Sequence, residues 1–196
     1  MKKLLILILF VCISVVLSAQ KGFKGCIDSI NTRTDTAVDF VYLMEKWKDC
    51  VIGKPLPDIN FKTVAGKKVS AKGLKGKVVV LNFWFIECHP CIAELPALNK
   101  LVNEYKNREV LFYGITYQPL TTLKRDFFPK YKFDFQIVAD ATNITDEFAA
   151  GYPTTYIVDK NGIIKAAWNG GIEGEQAETQ MFLKAKPIID ELLLKN

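Results

Sequence analysis

Residues 78–85, VVVLNFWF, are apolar throughout except for Asn82, and three residues later Cys88 and Cys91 open a stretch of helical periodicity. A run this rich in branched and aromatic residues is a strand buried on both faces, which requires helices above and below it. The helix that follows carries its stripe at Ile92, Leu95, Leu98, Val102 and Tyr105, with Pro96 inside the pattern. A proline there removes the hydrogen bond to the Ile92 carbonyl and predicts a kink one turn after the cysteines.

Two cysteines at i and i+3 on a helix start share a face. The unpaired N–H groups of the first turn stabilise an anion on the leading sulfur. Cys88 is therefore expected as the exposed nucleophile and Cys91, one turn inside, as the shielded resolving thiol. Pro90 suits the first turn, where its missing N–H costs nothing. A metal site requires about four ligands, and the single histidine, His89, is squeezed between the two cysteines, so no metal is expected. A static structural bridge remains the alternative to redox exchange.

The rest of the chain supports an α/β order. EVLFYGITY (109–117) reads as a second buried strand, 124–131 as a short helix, 133–140 as a third strand and 143–150 as another short helix. Residues 152–170 read as a hairpin whose Asn161-Gly162 suits a type I′ turn, and 174–195 as a closing helix. Upstream, 37–47 has the spacing of one amphipathic helix, and the texture changes at Gly53, where prolines and alternation begin. Three segments result: residues 1–19, an extension over 20–52, and a main domain over 53–196.

Residues 1–19 join Lys2 and Lys3 to an uncharged apolar stretch that ends in small residues, as a secretory signal peptide does. Cleavage after Ala19 and retention as an anchor both fit. Cys12 lies inside that stretch behind the branched Val11, which argues against lipidation. Without this segment the 26 basic and 21 acidic side chains, net +5, fall to net +3, too balanced to indicate nucleic acid. In an oxidising compartment cysteines pair readily. Cys26 and Cys50 can form a bridge worth roughly 3 kcal/mol in the loop-entropy model.

Asn82-Phe83-Trp84, Cys88-His89-Pro90-Cys91, Glu94, Pro96 and Tyr152-Pro153-Thr154 together resemble the thioredoxin superfamily, and within it the exported TlpA/ResA-like thiol-disulfide oxidoreductases. The resemblance covers residues 53–196. It implies a thioredoxin-like fold, a central mixed sheet flanked by helices, with an N-terminal hairpin at 58–70 and a helix-strand insertion at 118–140. It implies a cis peptide at Pro153 opposite the cysteines, which would present the Tyr152 backbone to an extended substrate; spacing alone reads an ordinary proline entering a strand. Thioredoxin buries an aspartate where this chain has Asn82. The exported branch instead has a glutamate three residues after the second cysteine, which Glu94 matches as a candidate proton acceptor for Cys91. A solvated acid on the helix face is the plain alternative.

Three neighbours bear on the dithiol. Glu87 stands where the family often has an aromatic residue, and its charge disfavours a Cys88 thiolate. His89 as an imidazolium would do the opposite, or serve only as an exposed spacer. Trp84 either packs beneath the dithiol or is plain core.

The resemblance implies a periplasmic enzyme, a monomer whose only redox group is the Cys88–Cys91 disulfide, leaning towards reduction of protein disulfides. Such a reductase draws on a membrane-bound electron donor, because an oxidising compartment supplies none. Supply of reduced apocytochrome thiols in cytochrome c biogenesis is one role in the family. A thiol peroxidase of related fold and a non-catalytic binding module are the competing functions.

Overall fold

The computed structural model describes residues 22–30 and 37–195. The proposed signal segment, with Cys12 and the cleavage position, lies outside the described residues.

A five-stranded mixed sheet forms the centre, in the order β5-β4-β3-β6-β7. β3 (Val78–Phe83) runs parallel to β4 (Val110–Ile115), which runs parallel to β5 (Gln136–Val138). β6 (Thr154–Val158) returns antiparallel to β3, and β7 (Ile164–Asn169) pairs antiparallel with β6. A separate hairpin, β1 (Asn60–Lys62) and β2 (Lys68–Ser70), leads into the short α3 (Ala71–Leu74) and is tied to the sheet edge where the Val64 N–H donates to the Ile137 carbonyl at 2.8 Å. This is a thioredoxin-like α/β fold with a hairpin and a helix-strand insertion.

β3 is buried along its whole length, as its composition requires. Its side chains alternate between two cores. Val79, Leu81 and Phe83 face one of them, and Val78, Val80 and Trp84 face the other, which also contains both Cys88 and Cys91. By that alternation Asn82, the one polar residue of the run, points to the dithiol side.

The dithiol side is covered by α4 (His89–Ala93), α5 (Leu95–Glu104) and α7 (Ala177–Leu194). The break between α4 and α5 falls at Glu94, and Pro96 occupies the first turn of α5, so the proline separates two helices at the predicted place. The opposite side is covered by α6 (Thr142–Phe148) together with α1 (Phe23–Asp28) and α2 (Ala37–Val51). Cys26, Trp47 and Val51 are fully buried there, and the Trp47 and Phe23 rings lie 5.7 and 6.0 Å from Tyr156. The extension thus closes one core of the sheet. Cys26 and Cys50 are bonded, joining α1 to α2.

Several local expectations are corrected. The 159–162 connection is not a type I′ turn, which needs positive φ at both central residues. Among these residues only Gly162 has it (φ 81°), while Asp159 Oδ1 accepts the N–H groups of Asn161 and Ile163. An Asx-capped turn with a glycine in the left-handed region replaces it. The third strand shrinks from 133–140 to Gln136–Val138, because Phe133 and Phe135 turn inward to pack against Trp84 and Phe112. The helix expected at 124–131 is instead a helical turn Leu120–Thr122 running into a π-helical turn Leu123–Phe127, where Phe128 N–H bonds the Leu123 carbonyl. The wider turn lets both Leu123 and Phe127 reach the core. α1 had no counterpart in the sequence reading.

Candidate active site

β3 ends at Phe83, and the chain turns so that Cys88 N–H donates to the Phe85 carbonyl at 3.2 Å. Cys88 then caps α4 in an extended conformation, and its Sγ accepts the Cys91 N–H at 3.3 Å. The cap position that serine or aspartate usually takes is filled by sulfur. Cys88 and Cys91 are joined as a disulfide with Cα atoms 5.2 Å apart. The expectation of an exposed leading sulfur is corrected for this oxidised form: Cys88 is 5% exposed and Cys91 1%. Capping folds the Cys88 side chain back over the first turn of α4, into the cluster that holds Trp84 and Trp168.

The Tyr152–Pro153 peptide is cis, and Pro153 lies across Gly171 from Pro90, the residue just before Cys91. Two backbone carbonyl contacts hold that loop: Gly170 N–H and Asn169 Nδ2 both donate to the Pro153 oxygen, at 2.8 and 3.4 Å. Gly171 lies between the two sides of the site. A Cβ at that position would sit 3.3 Å from both Pro153 Cγ and Pro90 Cβ. Sequence reasoning missed Gly171; the Gly170-Gly171 pair just beyond the last strand was its only signal.

Glu94, at the break between α4 and α5, is 3% exposed, so it is not a solvated acid on the helix face. Its Oε1 accepts a 2.9 Å hydrogen bond from Asn82 Nδ2, which also donates to Thr155 Oγ1 at 3.0 Å. Burial pushes the Glu94 carboxyl up to about 8, against the opposing pull of the Asn82 hydrogen bond and the positive charge of Lys184.

Comparison with known proteins agrees with this geometry. The pattern of the AhpC/TSA family matches residues 52–167. The chain is 35% identical to the thioredoxin-like protein YneN of Bacillus subtilis (strain 168) over 134 residues, which cover 67% of this chain and 79% of that protein. It is 33% identical to the thiol-disulfide oxidoreductase ResA of Bacillus anthracis over 132 residues, 66% of this chain and 74% of ResA. The chain belongs to the AhpC/TSA family of the thioredoxin superfamily, among its ResA-like thiol-disulfide oxidoreductases. The fold of a thiol:disulfide interchange protein from a Bacteroides species superposes with a TM-score of 0.57 at 24% identity, covering 71% of this chain and 90% of that one.

In this thiol-disulfide oxidoreductase the redox-active group is the Cys88–Cys91 disulfide. Among the described residues no group of three or more His, Cys, Asp or Glu could hold a metal ion. Trp84 is fully buried, with Phe127 of the insertion 4.4 Å away and Phe133 5.5 Å away, ring centre to ring centre. Glu87 is exposed, and its Oε2 accepts from Gln118 Nε2 at 2.8 Å. Gln118 Oε1 in turn accepts the Ile86 N–H at 2.8 Å, so one buried glutamine ties the end of the second core strand to the loop before Cys88. Nothing in the sequence marked Gln118. His89 is exposed at the first position of α4. Two clefts lie away from the dithiol: one of about 570 Å3 lined by Gly22, Phe23 and residues 52–57, and one of about 400 Å3 between residues 159–165 and the C-terminal part of α7.

Proposed function

We propose that the protein is an exported reductant of protein disulfides, acting through Cys88 and Cys91 with Glu94 as the group that holds the proton. The observation that carries the reading is the dithiol pair capping a helix with a buried carboxyl one turn behind it. In the reduced protein the Cys88 thiolate attacks a substrate disulfide. The substrate S–S bond breaks, one substrate thiolate leaves and takes a proton from water, and a mixed disulfide remains on Cys88. Cys91 then gives its proton to Glu94 and attacks Cys88 Sγ, releasing the second substrate thiolate. The substrate gains two electrons and the protein is left with the Cys88–Cys91 disulfide.

Regeneration runs the same steps backwards with an external dithiol. The donor thiolate attacks Cys88, Cys91 leaves as a thiolate, and Glu94 returns the proton to it. A carboxyl held up to about 8 in the oxidised form is protonated at neutral pH, which is the state this return step needs. One proton therefore alternates between Cys91 and Glu94 through the cycle. The donor is proposed to be membrane-borne and the protein periplasmic, on the strength of the signal-like residues 1–19 and the ResA likeness. Among the described residues no helix is long and apolar enough to cross a membrane.

A thiol peroxidase would place an arginine beside the attacking sulfur. The described arginines interact elsewhere, Arg125 with Asp126 and Arg108 with Tyr105 and Asp190. Replacing Cys91 by Ser tests the assignment: mixed disulfides are expected to accumulate on Cys88, and accumulation in Cys88→Ser instead would reverse the two roles.

A further inference from the structure

Beside the dithiol, three aromatic rings from three separate segments meet on the surface. Phe85 comes from the loop before Cys88, Tyr117 from just beyond β4, and Tyr152 from the cis-proline loop. Their centres are 5.8 Å (Phe85–Tyr117), 5.1 Å (Phe85–Tyr152) and 6.0 Å (Tyr117–Tyr152) apart. None is fully enclosed. Tyr117 is 38% exposed, and Phe85 and Tyr152 are half-buried. The cluster is contiguous with the reaction centre, since the Phe85 carbonyl accepts the Cys88 N–H and Tyr152 adjoins Pro153.

Its edges are acidic. Glu87, held by Gln118, acts electrostatically on Tyr117, and Asp146 on α6 acts on Tyr152, whose hydroxyl is hydrogen-bonded to Thr145. Both charges are exposed. They run against the net charge of +5 of the whole chain. A lysine or arginine is the side chain that satisfies both features, because its apolar stem lies along aromatic faces while its head meets a ring face and a carboxylate.

We propose that Phe85, Tyr117 and Tyr152, edged by Glu87 and Asp146, seat a basic side chain next to the substrate cysteine, so that the protein selects disulfides flanked by lysine or arginine. This rests on the reading that protein disulfides are the substrates, and it names the class of segment that docks during the mixed disulfide. The chemistry is unchanged: a substrate S–S bond is exchanged for the Cys88–Cys91 bond.

The test uses the reduced full chain and two disulfide-bridged peptides that differ only in a Lys or a Glu beside the cysteine, with the neutral hydroxyethyl disulfide as a third substrate. The Lys peptide is expected to be reduced with a kcat/KM about tenfold higher at low salt, the preference shrinking as salt screens it. Tyr117→Ala is expected to reduce the Lys-to-Glu ratio, and Asp146→Lys, at an exposed position that leaves the core intact, to lower it further or invert it. Equal rates for the two peptides, or a preference unmoved by both substitutions, would overturn the proposal alone. Reduction of hydroxyethyl disulfide but of neither peptide would overturn it together with the protein-disulfide reading.

Discussion

Asn82 donates its side-chain amide to the Glu94 carboxyl at 2.9 Å, inside the core, on the same side of the sheet as the dithiol. Thioredoxin, which this chain resembles, carries an aspartate at the position of Asn82. Here the strand supplies a neutral donor, and the carboxyl comes from the helix break. Asn82 and Lys184 draw the Glu94 carboxyl downwards while burial drives it up, and burial is the larger effect.

If Glu94 returns the proton to Cys91, Glu94→Gln slows reduction of the Cys88–Cys91 disulfide by a small dithiol. The expected loss is about a hundredfold at neutral pH, the usual scale of one positioned acid. The inflection near pH 8 should also vanish from the pH–rate profile. Removing the lysine charge with Lys184→Met should instead move that inflection to higher pH, since one of the two influences lowering the Glu94 pKa is lost. Stopped-flow fluorescence across a pH series reads both, and a Gln variant with the wild-type profile would leave water as the proton source.

The same carboxyl makes stability depend on pH. Its folded pKa of about 8 lies above the ordinary 4.5, so the folded form binds the proton more tightly than the unfolded chain. That contribution is fully present below pH 4.5 and is lost as pH rises through about 8. Chemical denaturation of the oxidised protein should show stability falling across this window by a few kcal/mol. Glu94→Gln should flatten the slope, and an equal slope in both proteins would contradict the burial argument.

Cys26→Ser with Cys50→Ser should leave protein-disulfide reduction nearly intact while lowering stability by about 3 kcal/mol. The bond ties α1 to α2 on the face of the sheet opposite the dithiol. Insulin reduction and thermal melting measured side by side separate the two effects. A loss of activity as deep as in Cys88→Ser would instead mark a second redox pair.

Gly171→Val should force Pro90 and Pro153 apart, because a Cβ already meets both rings at 3.3 Å and valine adds two more methyl groups. Misplacing the two sides of the site should cost about tenfold or more in kcat/KM for insulin reduction. Overpacking should cost about 1–3 kcal/mol in stability. Wild-type turnover in this variant would show that the closeness of the two loops is dispensable.

Much of the architecture was legible because it depends on local chemistry. The apolar 78–83 run could only be a covered strand, the CxxC spacing put both sulfurs on one helix start, and Pro96 marked where that helix breaks. Turns and edges were less legible. The 159–162 connection follows its Asp159 side chain and not its Asn-Gly spelling, and 133–135 leave the sheet because Phe133 and Phe135 gain more by packing than by strand pairing. The sequence by itself determined the redox pair, the strand it follows and the helix it opens, since residues within about a dozen positions specify all three. Tertiary structure alone decided that Glu94 is buried, that Asn82 meets it across 12 residues and Thr155 meets Asn82 across 73, that Gly171 separates two prolines, and that three aromatic rings converge beside Cys88. The physical reason is that dielectric environment and close approach belong to the packed interior, which no stretch of chain creates alone.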